Sequence, residues 1–284
     1  MIRVKRVDHI SMGAPDWRRQ AEWLERVLGF RFLHHFGDHG EGFEGCTSQV
    51  PGTDIEFEVI SPTRPDSFLR RFLDRDGPGL HHIAIEVEDI EETVRELERL
   101  GLEPFGGLQE DGSWRFTFIH PRQSGGVLWQ PFVPLKPSPD VDRTTDGGLV
   151  GVLRVDHVSV VVPNLEEQIA FQERVFGMKV EGRWRRDDEG YEGAVLSIPG
   201  SQLRFEILAP TNDEGFAARF LRTRRPGMHH VCCEVRSVEE AARALRQAGI
   251  EPYGGVIDNG WKPHTFIHPR DSGGVLFQLF EERR

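Results

Sequence analysis

Polar and apolar residues alternate through His9-Ile10-Ser11-Met12 in a run from Val4 to Gly13, and again from Val152 to Val162. Period-two alternation predicts a strand with one polar and one apolar face. Each run stops at a proline, and a helical pattern follows. It opens at Asp16 or Asn164, residue types that cap helix N-termini, and closes at Gly29 or Gly177. Strand-like runs come next near 30–36, 43–50 and 54–61. A short helical stretch around Phe68 to Leu73 leads to Gly77-Pro78-Gly79, and a strand runs from His81 to Val87. Apolar residues at Ile90, Val94 and Leu97 have helical spacing, and Asp89 with Glu92, like Ser237 with Glu240, reads as a capping box. Three more short strands close the pattern. The order is βαβββ followed by βαβββ, then the same again: an α+β chain of four such units, with mostly antiparallel sheets.

The second half repeats the first at an offset of 148 residues, without a gap: Thr117 to Gln130 recurs as Thr265 to Gln278 with changes only at Asp271 and Phe277. The pattern predicts a first module over 1–135, a linker rich in Pro, Asp, Thr and Gly over 136–148, and a second module over 149–284. Polar residues that recur in register mark the first place to look for chemistry. Gly125-Gly126 and Gly273-Gly274 read as turns into the last strand rather than as a phosphate cradle.

Composition narrows the function classes. Net charge is −11 with no basic block, which argues against nucleic acid. No apolar run reaches the roughly 20 residues of a membrane span, and no apolar core follows the basic N-terminus as in a signal peptide. Cys46, Cys232 and Cys233 do not suggest a disulfide framework. A soluble, cytoplasmic protein is expected, acting on a small molecule, with a homodimer left open.

Strand alternation gathers the candidate chemistry. His9 and Ser11 share one face of the first strand, and Glu58 points away from Ile55, Phe57 and Val59. His82 shares a face with Ala84 and Glu86, and Gln130 aligns with Leu128. Each module thus offers His, Glu, His and Gln on four strands: His9, Glu58, His82 and Gln130, then His157, Glu206, His230 and Gln278. Imidazole with carboxylate and amide oxygen suits one divalent ion per module, Zn, Ni, Co, Mn or Fe(II). The other member of each histidine pair, His81 or His229, faces away and is expected to pack. Trp17, Trp23 and Phe171 read as core, and His34, His35 and His39 as solvated. Trp114, Trp261 and Lys262 lie where the modules differ, a segment able to set substrate choice.

These residues resemble the vicinal oxygen chelate superfamily, which includes glyoxalase I, methylmalonyl-CoA epimerase, extradiol dioxygenases, 4-hydroxyphenylpyruvate dioxygenase and antibiotic-binding resistance proteins. The most specific pieces look like the methylmalonyl-CoA epimerase family: Asp8-His9, Phe57 to Pro62, Gly79 to Ala84, and His120-Pro121-Arg122 with Ser124 to Leu128. The resemblance implies sheets curled into cups, with metal ligands at the eight positions above. It implies an enzyme that chelates a small carbonyl or acyl-thioester substrate and stabilises an enolate, as an isomerase or epimerase. Alternatives are an Fe(II) dioxygenase, a glyoxalase-like lyase and a non-enzymatic ligand-binding protein. This chain departs from the pattern by having Gln130 and Gln278 where the epimerase-like closing strand has Glu. The amide leaves the site more positive and removes a base. Candidate bases are Glu44 and Glu192, His120 and His268, His264 (which replaces Phe116), and Glu86 with Glu234.

Overall fold

The computed structural model describes residues 1–38, 40–136, 144–258 and 262–283. His39, Trp261 and the middle of the expected linker lie outside the described residues. The strands form two eight-stranded sheets, β2-β3-β4-β1-β5-β8-β7-β6 and β10-β11-β12-β9-β13-β16-β15-β14, both open. In the first, the strands are β1 Val4–Gly13, β2 Arg31–Asp38, β3 Phe43–Gln49, β4 Glu56–Pro62, β5 Gly79–Val87, β6 Pro104–Glu110, β7 Trp114–Ile119 and β8 Leu128–Pro134. In the second they are β9 Val152–Val161, β10 Lys179–Arg186, β11 Tyr191–Ser197, β12 Arg204–Pro210, β13 Gly227–Val235, β14 Tyr253–Ile257, β15 His264–Ile267 and β16 Leu276–Phe280. The helices are α1 Trp17–Leu28, α2 Phe68–Asp76, α3 Ile90–Arg99, α4 Leu165–Phe176, α5 Phe216–Thr223 and α6 Val238–Gln247.

Local chemistry accounts for most boundaries. Asp16 accepts the backbone N–H groups of Arg18 and Arg19, and Gly29 closes α1 at φ 69°. Asn164 accepts the backbone N–H of Glu167, and Gly177 closes α4 at φ 69°. Asp89 and Ser237 cap α3 and α6. α2 runs on past Leu73 to Asp76, because the next residue able to end it is Gly77 at φ 75°.

The chain divides into two compact units. One holds Met1–Asp8 and the described residues of His82–Asp140 with His157–His229; the other holds the described residues of His9–His81, Val141–Asp156 and His230–Arg284. Each unit combines segments of both sequence repeats. Inside the first, buried Trp129 meets Phe176 at 4.6 Å and Phe205 at 5.4 Å between ring centroids. Inside the second, buried Phe277 meets Trp23, Phe30 and Phe57 within 6.1–6.3 Å. Trp129 and Phe277 occupy matching positions and anchor matching aromatic clusters, each side chain contributing roughly 2–3 kcal/mol through burial.

Part of the repeated fourteen residues is explained by this packing. Gln168 of α4 donates to the Ser124 carbonyl at 3.1 Å in one unit, and Gln20 of α1 donates to the Ser272 carbonyl at 3.0 Å in the other. The glycines beside those serines have positive φ and no room for a side chain. A Cβ on Gly126 (φ 97°) would stand 1.9 Å from the Pro226 carbonyl oxygen, and one on Gly274 (φ 114°) 2.2 Å from that of Pro78. The Ser-Gly-Gly part of this stretch therefore forms a seat for the backbone of the other repeat. The reading of these glycines as turn residues is compatible with it, and the expectation that register-conserved residues mark chemistry needs this qualification.

Gly126→Ala and Gly274→Ala combine a strained backbone with a backbone clash, so each is expected to cost about 2–4 kcal/mol, measurable by urea denaturation. Gln172 behaves oppositely. It is fully buried on α4 and neither amide atom has a hydrogen-bond partner among the described residues, while its counterpart is Leu24. Gln172→Leu is expected to stabilise the protein by about 1 kcal/mol; a lower urea midpoint would count against that account of the site.

Candidate metal centres

Two parallel strand pairs position the ligand-type residues. β4 runs parallel to β1 with Glu56 beside His9 and Glu58 beside Ser11. β8 runs parallel to β5 with Leu128 beside His82 and Gln130 beside Ala84. The second sheet repeats both registers, with Glu206 beside Ser159 and Gln278 beside Cys232. Adjacent partners in a sheet share a face, so His9, Ser11, Glu58 and, on the neighbouring pair, His82 and Gln130 lie on ligand-bearing faces. The opposite face of β4, carrying Phe57 and Val59, is covered by α1.

His9, Glu58 and His82 each offer a ligand atom within 4.8 Å of the others, and His157, Glu206 and His230 do the same. All but the half-buried Glu206 are buried. His9 Nε2 lies 3.7 Å from Glu58 Oε2, and His157 Nε2 lies 3.7 Å from Glu206 Oε2. Donors bound about 2.1 Å from one ion at angles near 110° stand roughly 3.4 Å apart, so the spacing fits a shared divalent cation with small adjustment. Ser11 Oγ donates to Glu58 Oε1 at 2.6 Å, which turns Oε2 toward His9. Sequence alternation marks Ser11 only as a face-mate of His9. Gln130 and Gln278 are buried on the same strand faces.

The remaining histidines and acids separate by face. His81 packs on Phe68 and Phe72 of α2, and His229 on Phe216 and Phe220 of α5, as expected of the outward-facing members. Burial pushes both imidazoles down to about 4, so both are neutral at pH 7. Glu44 pairs in register with Ser61, and Glu192 with Ala209, whereas Thr47 pairs with Glu58 and Val195 with Glu206. Glu44 and Glu192 therefore lie on the face opposite the ligands, a correction to their nomination as bases. Each is held by an arginine there, Glu44 by Arg18 at 2.9 Å and Glu192 by Arg185 at 3.3 Å.

His120 and His268 are turn residues: Nδ1 of each accepts the backbone N–H two residues on, at 3.1 Å. Glu86 is engaged by Lys5 and Arg6, and Glu234 by Arg154 at 2.7 Å. His264 differs. It pairs with Phe280, and Phe266 pairs with Gln278, so it shares the ligand-bearing face of β16. Its Nδ1 lies 2.8 Å from the Lys262 carbonyl. A carbonyl only accepts, so Nδ1 carries a hydrogen, which in the neutral ring makes Nε2 the acceptor nitrogen. His34 and His35 are exposed as expected, but His34 pairs with Thr47 in the same cross-strand row as Glu58.

The cysteines are free and buried, and burial pushes the Cys46 thiol up to about 12. Among the described residues no helix is long and apolar enough to cross a membrane.

Comparison with known proteins agrees with the repeat. A model of the Glyoxalase/Bleomycin resistance protein/Dioxygenase superfamily matches residues 8–118 and again 156–267. Human mitochondrial methylmalonyl-CoA epimerase is 30% identical over 145 residues, covering 50% of this chain and 81% of that protein. The ethylmalonyl-CoA/methylmalonyl-CoA epimerase of Cereibacter sphaeroides is 31% identical over 130 residues, covering 44% of this chain and 96% of that protein. A triple mutant of 4-hydroxymandelate synthase from Streptomyces coelicolor shares the fold along both modules, with a TM-score of 0.74 at 18% identity over 99% of this chain and 93% of that one. Repeated family match, βαβββ order and paired ligand clusters agree: the chain belongs to the Glyoxalase/Bleomycin resistance protein/Dioxygenase superfamily and carries its domain twice.

Proposed function

We propose that this chain is a divalent-metal-dependent enzyme of the isomerase or epimerase kind. It binds a small carbonyl or acyl-thioester substrate through two oxygens and stabilises the enolate formed when a proton leaves the adjacent carbon. The observation that carries the reading is the pair of His-Glu-His clusters, one per module, at matching registers. The epimerase names of the half-length relatives support the reaction class.

His9, Glu58 and His82 would hold one ion and His157, Glu206 and His230 another, with Gln130 and Gln278 as further oxygen donors. A bound ion supplies positive charge against the negative charge that develops on the substrate oxygens. The protein's own part is to fix the donors and exclude water around them. Ser11 keeps Glu58 turned to His9. In the second module His264 offers Nε2 on the ligand-bearing face as the acceptor of the moving proton. A second reading, an Fe(II) dioxygenase, is favoured by the donor set itself, since two histidines and one carboxylate also suit ferrous iron.

Elemental mass spectrometry of untagged protein is expected to find about two first-row ions per chain, falling to about one in His82→Ala and in His230→Ala. Deuterium uptake at the carbon between the carbonyls of methylmalonyl-CoA, followed by NMR in heavy water, is the matching activity assay. In the His82→Ala background, His264→Phe is expected to slow exchange by about 100-fold with metal retained. Oxygen consumption that requires ferrous iron, without deuterium uptake, would establish the dioxygenase instead. Absence of metal after reconstitution would end both readings.

A further inference from the structure

The ligand sets match residue for residue, but the sheet surface next to them does not. In the first sheet Trp114 stacks on Phe132 with ring centroids 3.9 Å apart and planes 16° from parallel. Phe132 is one of the residues paired across β7 and β8, opposite Phe116, and shares the face of Gln130. At the matching positions of the second sheet, Lys262 replaces Trp114, His264 replaces Phe116 and Glu282 replaces Pro134, while Phe280 keeps the place of Phe132. Lys262 Nζ sits 4.7 Å from the centre of the Phe280 ring and is paired with Glu282. The same buried phenyl ring is roofed by an indole in one module and by an ammonium in the other. Both roofs cover a ring on the ligand-bearing face, one step along that strand face from the glutamine.

We propose that the two sites take different substrates: Lys262 makes the second-module site select a carboxylate-bearing carbonyl compound, and Trp114 makes the first-module site select one with an aromatic or apolar arm. This rests on the metal-dependent reading above. An ammonium over an aromatic face keeps its full charge, and that charge attracts an anion. In the resting protein Glu282 occupies part of that charge, so an incoming carboxylate competes with it. His264 adds a second polar group to the same wall. The wall around Trp114 and Phe116 carries no charged replacement at these three positions, so a second carboxylate there would be desolvated without a partner.

The test uses malonate, a doubly anionic chelator built from two carboxylates, and benzohydroxamate, a chelator with a phenyl arm. Titration calorimetry is run on His82→Ala, which leaves the second-module cluster, and on His230→Ala, which leaves the first. Malonate is expected to bind the His82→Ala protein about tenfold tighter than the His230→Ala protein, with benzohydroxamate showing the reverse order. In the His82→Ala background, Lys262→Met is expected to abolish the malonate preference and Glu282→Gln to strengthen it. In the His230→Ala background, Trp114→Ala is expected to weaken benzohydroxamate binding. Equal malonate affinity at the two sites, or affinity unmoved by both Lys262→Met and Glu282→Gln, would overturn the proposal. Each titration is repeated with and without added cobalt, and metal content is measured on the same samples. Loss of metal with the Lys262 dependence intact would overturn the functional reading alone; loss of the Lys262 dependence in metal-loaded protein would overturn this inference alone.

Discussion

Backbone meets backbone at two matching turns, and much of the structure follows from them. Gly126 sits on the Pro226 carbonyl and Gly274 on that of Pro78, each closer than any side chain permits. One member of each contact is the turn into a closing strand, β8 or β16. The other is the turn into a histidine-bearing strand, β13 or β5. A repeat cannot complete this contact by itself, because the turn and its seat come from different copies. Glutamines on α1 and α4 reinforce the seat by donating to the serine carbonyls beside the glycines. Aromatic burial around Trp129 and Phe277 then supplies the larger share of the energy on the helix-covered side.

With the turns seated, the ligand clusters follow from two parallel pairings. Parallel strands with aligned partners put Ser11 beside Glu58, and only that alignment lets one hydroxyl orient the carboxylate toward His9. A shift of one residue would send Glu58 to the helix side and Phe57 to the open side. The same parity removes Glu44 and Glu192 from the face that carries the His-Glu-His clusters. Their arginine partners are on the side the sheet presents to α1 or to solvent, which explains how a doubled Glu-Gly-(Phe/Tyr)-Glu-Gly pattern can recur without entering the site.

The two modules keep the same His-Glu-His cluster and differ in the wall beside it. Metal donors tolerate little change, since each must reach one point from a different strand. The wall position over Phe132 or Phe280 only has to cover a ring, and both an indole and an ammonium do so. Duplication thus permits a change of partner chemistry at a site whose donor geometry stays constant.

Much of this was readable from residue order. Capping residues, glycine stops and strand parity located the elements to within a few positions, the notable miss being α2, whose end was set by Gly77 rather than by the loss of apolar spacing. Parity also separated His82 from His81, because alternation is a local property of extended backbone. Tertiary structure alone decided three things. It decided that His9, Glu58 and His82 approach one another, since convergence depends on strand order and not on spacing along the chain. It decided that the glycine pairs within the near-identical fourteen residues serve packing, since the atoms they must avoid belong to the other repeat. And it decided that compact units draw segments from both repeats, because burial of Trp129 and Phe277 rewards contacts distant in sequence as readily as near ones.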